Sequence, residues 1–171
     1  MVLFASSMNL LPHIVTQLRS QFSVKDMGPL QYFLGINVRR SDSGFFLSQT
    51  NYIEDLLERA GMSNCKPLPT PVDTKPKPSS ADGKPITEAS FYRSMAGALQ
   101  YLTVTCPDIA FAIQQACLHM HSPRDVHFTM LKRILRYIKE TPNIGIHLRA
   151  TTSPTLTVYF DADWAGCPDT R

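Results

Sequence analysis

No Cys-x-x-Cys pair occurs in these 171 residues, and Cys65, Cys106, Cys117 and Cys167 stand far apart. A zinc cluster needs ligands at short spacings and a small secreted scaffold needs dense cysteine, so free thiols in a reducing compartment are expected. Long hydrophobic runs are also absent. The start, MVLFASSMNLL, is apolar but carries no basic leader, and Pro12 follows it. Neither a signal peptide nor a membrane span is expected, so the chain reads as intracellular, whether cytoplasmic, nuclear or organellar. No G-x-x-x-x-G-K loop is present to cradle phosphates. Ser94, His119 and His121 lie in no Gly-x-Ser-x-Gly context, which argues against serine-hydrolase chemistry. There is no internal repeat, and nothing specifies an oligomeric state.

What is present is a soluble-type composition with a formal charge of +3, unevenly placed. Ser122 to Arg149 holds six lysines or arginines against two acids, a net of +4. If nucleic acid is bound, that stretch is the expected contact. Proline is concentrated instead between Cys65 and Pro85, at Pro67, Pro69, Pro71, Pro76, Pro78 and Pro85. Such a segment sustains neither helix nor central strand and has few apolar residues with which to dock, so it reads as an extended linker.

Periodicity places elements on either side of that linker. Val2 to Phe4 suits a short buried strand, and Ile14, Leu18 and Phe22 recur at helical spacing up to Gly28 and Pro29. Leu30 to Arg40 and Phe45 to Ser48 form a hairpin around Ser41 to Gly44. A helix from Thr50 or Asn51, with Ile53, Leu56 and Leu57 on one side, ends at Gly61. After the linker, helices are expected over Ser90 to Val104, Pro107 to His121 and Pro123 to Glu140. In the last, Ser122 is the expected N-cap, and Leu131, Ile134, Leu135 and Ile138 make an apolar stripe. Lys132, Arg133, Arg136 and Lys139 fall largely outside it. Two strands, Ile144 to Leu148 and Leu156 to Asp161, are expected to close a final hairpin.

Several side chains invite a functional reading beside a plain one. Asp161 and Asp163 alternate on a strand-like run, so both carboxylates share one face, which is one corner of a two-metal site or a solvated strand end. Cys117 and His121 lie one helical turn apart, half a zinc site or ordinary helix packing. Trp164 and Tyr159 are base-stacking or core residues, and Tyr32 and Phe33 are first of all hairpin packing. The basic helix is a solvated face around a stripe, or a track for a phosphate backbone.

Six runs converge on one family: VKDMGPLQYFLGINV, GFFLSQTNYIEDLLERAGM, CKPLPTPV, YRSMAGALQYLTVTCPDIAFAI, LKRILRYIKETPNIGI and DADWAGCPDTR. In order and spacing the chain resembles the copia-type retrotransposon Pol polyprotein. The resemblance implies an α+β fold: a truncated reverse transcriptase palm end with a primer-grip-like hairpin, a helical thumb or connection region, and the first hairpin of a ribonuclease H-like fold. It divides the chain at 1–62 for the palm end, 63–89 for the linker, 90–141 for the thumb or connection helices, and 142–171 for the truncated start of the ribonuclease H-like domain.

By the same comparison Phe33, Leu34, Gly35 and Ile36 match the primer-grip hairpin, a positioning element, and Lys132, Arg133, Arg136 and Lys139 are the candidate backbone contacts. Asp161 matches the first metal-binding aspartate of ribonuclease H, in a site that is incomplete here. The palm aspartates of the family's Tyr-Val-Asp-Asp turn lie outside the sequence, upstream of Met1. The parent enzyme would use Mg²⁺ and act on an RNA/DNA hybrid or primer-template, whereas this stretch is expected to hold no cofactor, to touch no membrane and to be inactive alone. A retained nucleic-acid-binding module and an expressed relic without a molecular role are the alternatives. The chain departs from the family pattern at Cys106, where Arg is typical, and at Glu140, where Gly is usual.

Overall fold

The computed structural model describes residues 9–74 and 77–150, together with residues 2, 3, 5, 7, 158 and 159. Helix α1 (Leu10–Gln21) is followed by strands β1 (Tyr32–Phe33), β2 (Ile36–Ser41) and β3 (Gly44–Ser48) and helix α2 (Thr50–Arg59). After the proline segment come α3 (Ala89–Leu102), a 3₁₀ turn at Pro107–Ile109, α4 (Ala110–Cys117), α5 (Asp125–Glu140) and β4 (Gly145–Arg149). Val2 and Leu3 form no strand, and Phe4 lies outside the described residues. Pro107 opens its turn where a missing N–H is harmless, and Gly61, at φ +64°, follows the end of α2 in the left-handed region.

The core belongs to the helices. Ile53, Leu56 and Leu57 of α2 meet Tyr92, Leu99 and Leu102 of α3, Ile113 of α4, and Leu131, Ile134, Leu135 and Ile138 of α5, all buried in one cluster with Ile109. Each full burial of such a side chain is worth about 1.5–3 kcal/mol, so this interface dominates the fold. Tyr92 enters it whole because its hydroxyl donates to the Ala116 carbonyl at 2.7 Å. Burial pushes its phenol well above the ordinary value. One polar pair is also buried: Thr105 Oγ1 donates to Gln49 Oε1 at 2.8 Å.

The strands form one antiparallel sheet in the order β1-β2-β3-β4. The expected hairpin around Ser41 to Gly44 is present, with Val38 opposite Leu47 and Arg39 opposite Phe46. Leu30 to Arg40 is not a single strand, however, because a second tight turn at Leu34–Gly35 folds β1 back on β2. β4 lies against β3, with Phe46 opposite His147 and Gly44 opposite Arg149. A side chain at Gly44 would overlap the Leu148 carbonyl, so the close approach of β4 depends on that glycine. The second half of the expected final hairpin, Leu156 to Asp161, lies outside the described residues apart from Val158 and Tyr159. No apolar side chain of the sheet joins the buried helical cluster. Thr50, the first residue of α2 after β3, donates from Oγ1 to the Pro142 carbonyl between α5 and β4 at 3.0 Å, so the two connections into the sheet meet there.

The proline segment does dock, by polar bonds in place of apolar ones. Leu68 N–H donates to the Arg136 carbonyl, Arg136 Nε donates back to the Lys66 carbonyl at 2.6 Å, and Arg133 reaches Thr70 and Asp73. At the other end Arg124 donates to the Gly83 carbonyl at 2.7 Å, and Lys84 N–H to Asp125 Oδ1 at 3.0 Å. The segment is a strap along α5. Asp125 is thereby drawn to the strap, and Arg124, not Ser122, is the N-cap of α5.

Candidate nucleic-acid interface

The tip of the β1–β2 hairpin carries, at Leu34, the one non-glycine residue with positive φ among the described residues. Phe33 pairs with Ile36, which leaves Leu34 and Gly35 as a two-residue loop with φ of +50° and +81°. Two positive φ values in succession are those of a type I′ turn, whose twist suits a hairpin. Glycine adopts this conformation freely, whereas leucine does so at a cost of about 1–2 kcal/mol. The strain is held from outside: Tyr101 Oη of α3 donates to the Leu34 carbonyl at 2.5 Å. The Tyr101 ring meets Tyr52 of α2 edge to face at 5.4 Å, and Tyr52 Oη donates to the Ala98 carbonyl at 3.1 Å. Desolvation is the main cause that raises the Tyr52 phenol, which keeps it a neutral donor.

The consequence is an exposed apolar tip. Leu34 is 69% exposed, Tyr32 56%, and Phe33 also faces solvent. Of the expected contact residues, Phe33, Leu34, Gly35 and Ile36 are thus brought together, but as a turn. Tyr32 and Phe33 are not packed away as hairpin core. The tip, Tyr32 to Ile36, holds no carboxylate, amine, imidazole or thiol. Tyr101 and Tyr52 gave no signal in the sequence beyond being aromatic residues in amphipathic helices.

The four cations of α5 divide. Arg133 bonds Asp73 at 3.1 Å and Thr70 at 2.8 Å, and Arg136 is spent on the Lys66 carbonyl. Lys132 lies exposed with its Nζ 4.7 Å from the centre of the Phe128 ring, and Lys139 is exposed in the last turn. Among the described residues no hydrogen bond, ion pair or ring contact joins these cations to the hairpin tip.

Asp161, Asp163 and Trp164 lie outside the described residues. Among those described, no three His, Cys, Asp or Glu side chains gather as a metal site requires. Cys117 and His121 therefore have no third partner for a clip, and Cys65, Cys106 and Cys117 are free thiols. Burial pushes the thiols of Cys106 and Cys117 up. A buried histidine, His127, escaped sequence reasoning. Its ring stacks on His119 at 3.6 Å, accepts the Arg124 N–H at Nδ1 and faces the Ser79 carbonyl with Nε2.

The family model described as reverse transcriptase (RNA-dependent DNA polymerase) matches residues 1–74, which include the hairpin and α2. An uncharacterized mitochondrial protein of Arabidopsis thaliana is 45% identical over 170 residues, covering 99% of this chain and 70% of that protein. The retrovirus-related Pol polyproteins from transposons RE1 and RE2 of the same plant are 46% and 43% identical over 160 residues. The chain belongs to the copia-type retrotransposon Pol family. Each polyprotein match covers 94% of this chain but 11% of the polyprotein, so this Pol segment spans about a tenth of those relatives. No solved structure gives a significant match to it. Among the described residues no helix of the segment is long and apolar enough to cross a membrane.

Proposed function

We propose that this Pol segment is a non-catalytic nucleic-acid grip, in which the Leu34–Gly35 tip bears on a primer-template or RNA/DNA hybrid as the primer-grip hairpin of a reverse transcriptase palm. The observation that carries this reading is the tip itself, an exposed leucine in left-handed backbone whose carbonyl is held by Tyr101 of α3. Strain persists where surrounding structure over-determines it, and such places cluster at ligand clamps. The tip offers contact surface and fixed position, which is what placing a strand end requires. On this reading residues 63–89 are the linker and 90–141 the thumb or connection helices. The ribonuclease H-like start within 142–171 then has its first strand, β4, shared with the palm-end sheet.

Phosphoryl transfer by the parent would use Mg²⁺ held by several convergent carboxylates. The described residues provide no such set, and Asp161 alone does not make one. The segment by itself is therefore read as inactive. Titrating a fluorescein-labelled RNA/DNA hybrid with the full chain is expected to give saturable binding that weakens steeply with salt. Absence of binding at low salt would sink the grip. Primer extension or loss of the RNA strand in the presence of Mg²⁺ and deoxynucleotides would overturn the claim of inactivity.

A further inference from the structure

Both faces of the sheet carry an exposed arginine over a phenylalanine, Arg40 over Phe45 on one and Arg39 over Phe46 on the other, each at 5.6 Å, and they differ in the third strand, which adds Leu148 to the first and His147 to the second. Register places Val38, Leu47 and Ile146 in one row on one face, and Arg39, Phe46 and His147 in one row on the other. On that second face the Arg39 guanidinium lies 5.6 Å from the centre of the Phe46 ring, and the His147 ring tilts against Phe46 at 4.7 Å. Arg149, opposite Gly44, extends the same face by one row. Arg39, His147 and Arg149 are all exposed. None of the residues that register puts on this face is acidic, and the nearest carboxylate in sequence is Asp42, in the β2–β3 turn. Among the described residues Arg39 and Arg149 pair with no carboxylate, in contrast to Arg133 on α5.

We infer that the Arg39–Phe46–His147 row, with Arg149, is a second nucleic-acid contact that tracks the sugar-phosphate backbone of a polynucleotide. The inference deepens the grip reading and rests on it. Strand spacing separates Arg39 from His147 by about 10 Å across the sheet, and His147 from Arg149 by about 7 Å along β4. Those are separations over which one backbone can meet several donors. Stacking on Phe46 orders the guanidinium before any ligand arrives, which lowers the entropy lost on contact. The imidazole of His147 adds an N–H donor for a phosphate oxygen. By contrast, Arg133 and Arg136 would have to leave the strap before they could touch a phosphate.

The test is the salt dependence of binding to a mixed-sequence RNA/DNA hybrid by the full chain and by the double variant Arg39→Gln/Arg149→Gln. The variant is expected to lower the slope of log affinity against log salt by about 2, and to weaken binding at about 50 mM salt by roughly tenfold or more. Lys132→Gln/Lys139→Gln on α5 serves as the comparison and is expected to change the slope less. Amide shifts at Phe46 and His147 on adding the hybrid provide a measure that needs no substitution. If wild type binds but the sheet variant superposes on it and those amides stay still, the sheet contact falls and the hairpin grip stands. A slope lowered only by the α5 variant also overturns it. No salt-dependent binding by wild type removes both readings.

Discussion

Tyr101 holds the carbonyl of a leucine at φ +50°, so the two residues should behave as a unit. Tyr101→Phe removes one hydrogen bond and is expected to cost about 0.5–1.5 kcal/mol. Leu34→Gly relieves the left-handed strain and is expected to offset part of that loss. The two changes should therefore be non-additive in urea unfolding, and amide exchange at Gly35 should quicken in Tyr101→Phe alone. Additive effects would show that the tyrosine does not hold the turn. The Leu-Gly pair was visible in the sequence, but the apolar run around it read as strand, because the hold comes from a residue 67 positions away.

His127 is decided by its surroundings in the same way. Desolvation is the main cause that lowers its pKa from the usual 6.5. Arg124 acts in the same direction, and the Ser79 carbonyl, Asp82 and Asp125 oppose it. The stacked His119 ring faces it from beyond α4. With the folded pKa below the unfolded one, the unfolded chain takes the proton first. Stability from this group is full above about pH 6.5 and is lost as the pH falls below it. Urea midpoints measured from about pH 7.5 down to 5 should show that decline, and His127→Gln should flatten it. An unchanged slope in the variant would place the sensitivity elsewhere.

Among the elements, the strap and α5 depend on one another. The apolar stripe of α5 and the proline content of residues 65–85 were both legible as patterns, and both are found. Their mutual docking was not, since it runs through guanidinium and carbonyl groups that carry no hydrophobic period. Arg136→Met keeps the aliphatic stem while removing the charged donor to the Lys66 carbonyl, and is expected to cost about 1–2 kcal/mol. The loss should be local: protease cleavage near Lys66 should accelerate well before global unfolding. Equal cleavage in variant and wild type would mean that the strap is held without Arg136.

For the whole molecule, the helical cluster is the part expected to resist unfolding, and the β1–β2 hairpin is joined to it by the bond from Tyr101 to the Leu34 carbonyl. Ile134→Ala, in the middle of α5, is expected to cost about 2–5 kcal/mol. That is a large share of the 5–15 kcal/mol typical of a folded protein. Thermal unfolding followed by circular dichroism should show a single transition shifted well downward. A transition unaffected by the change would mean that the cluster is not the cooperative unit.

The sequence by itself determined where the main helices and the β2–β3 hairpin form, where proline forbids both, and which family the motifs belong to. These are properties of spacing and residue type along the chain, expressed over a few neighbours at a time. The tertiary structure decided what each charged or strained group does. Arg133 and Arg136 look like free cations in the sequence and are ties to the strap in space. Arg39, which carried no signal in the sequence, and Arg149, counted there only within a basic stretch, face solvent on one side of the sheet beside Phe46 and His147. Partners come from remote parts of the chain, and whether a charge is available for a ligand depends on which partner reaches it first.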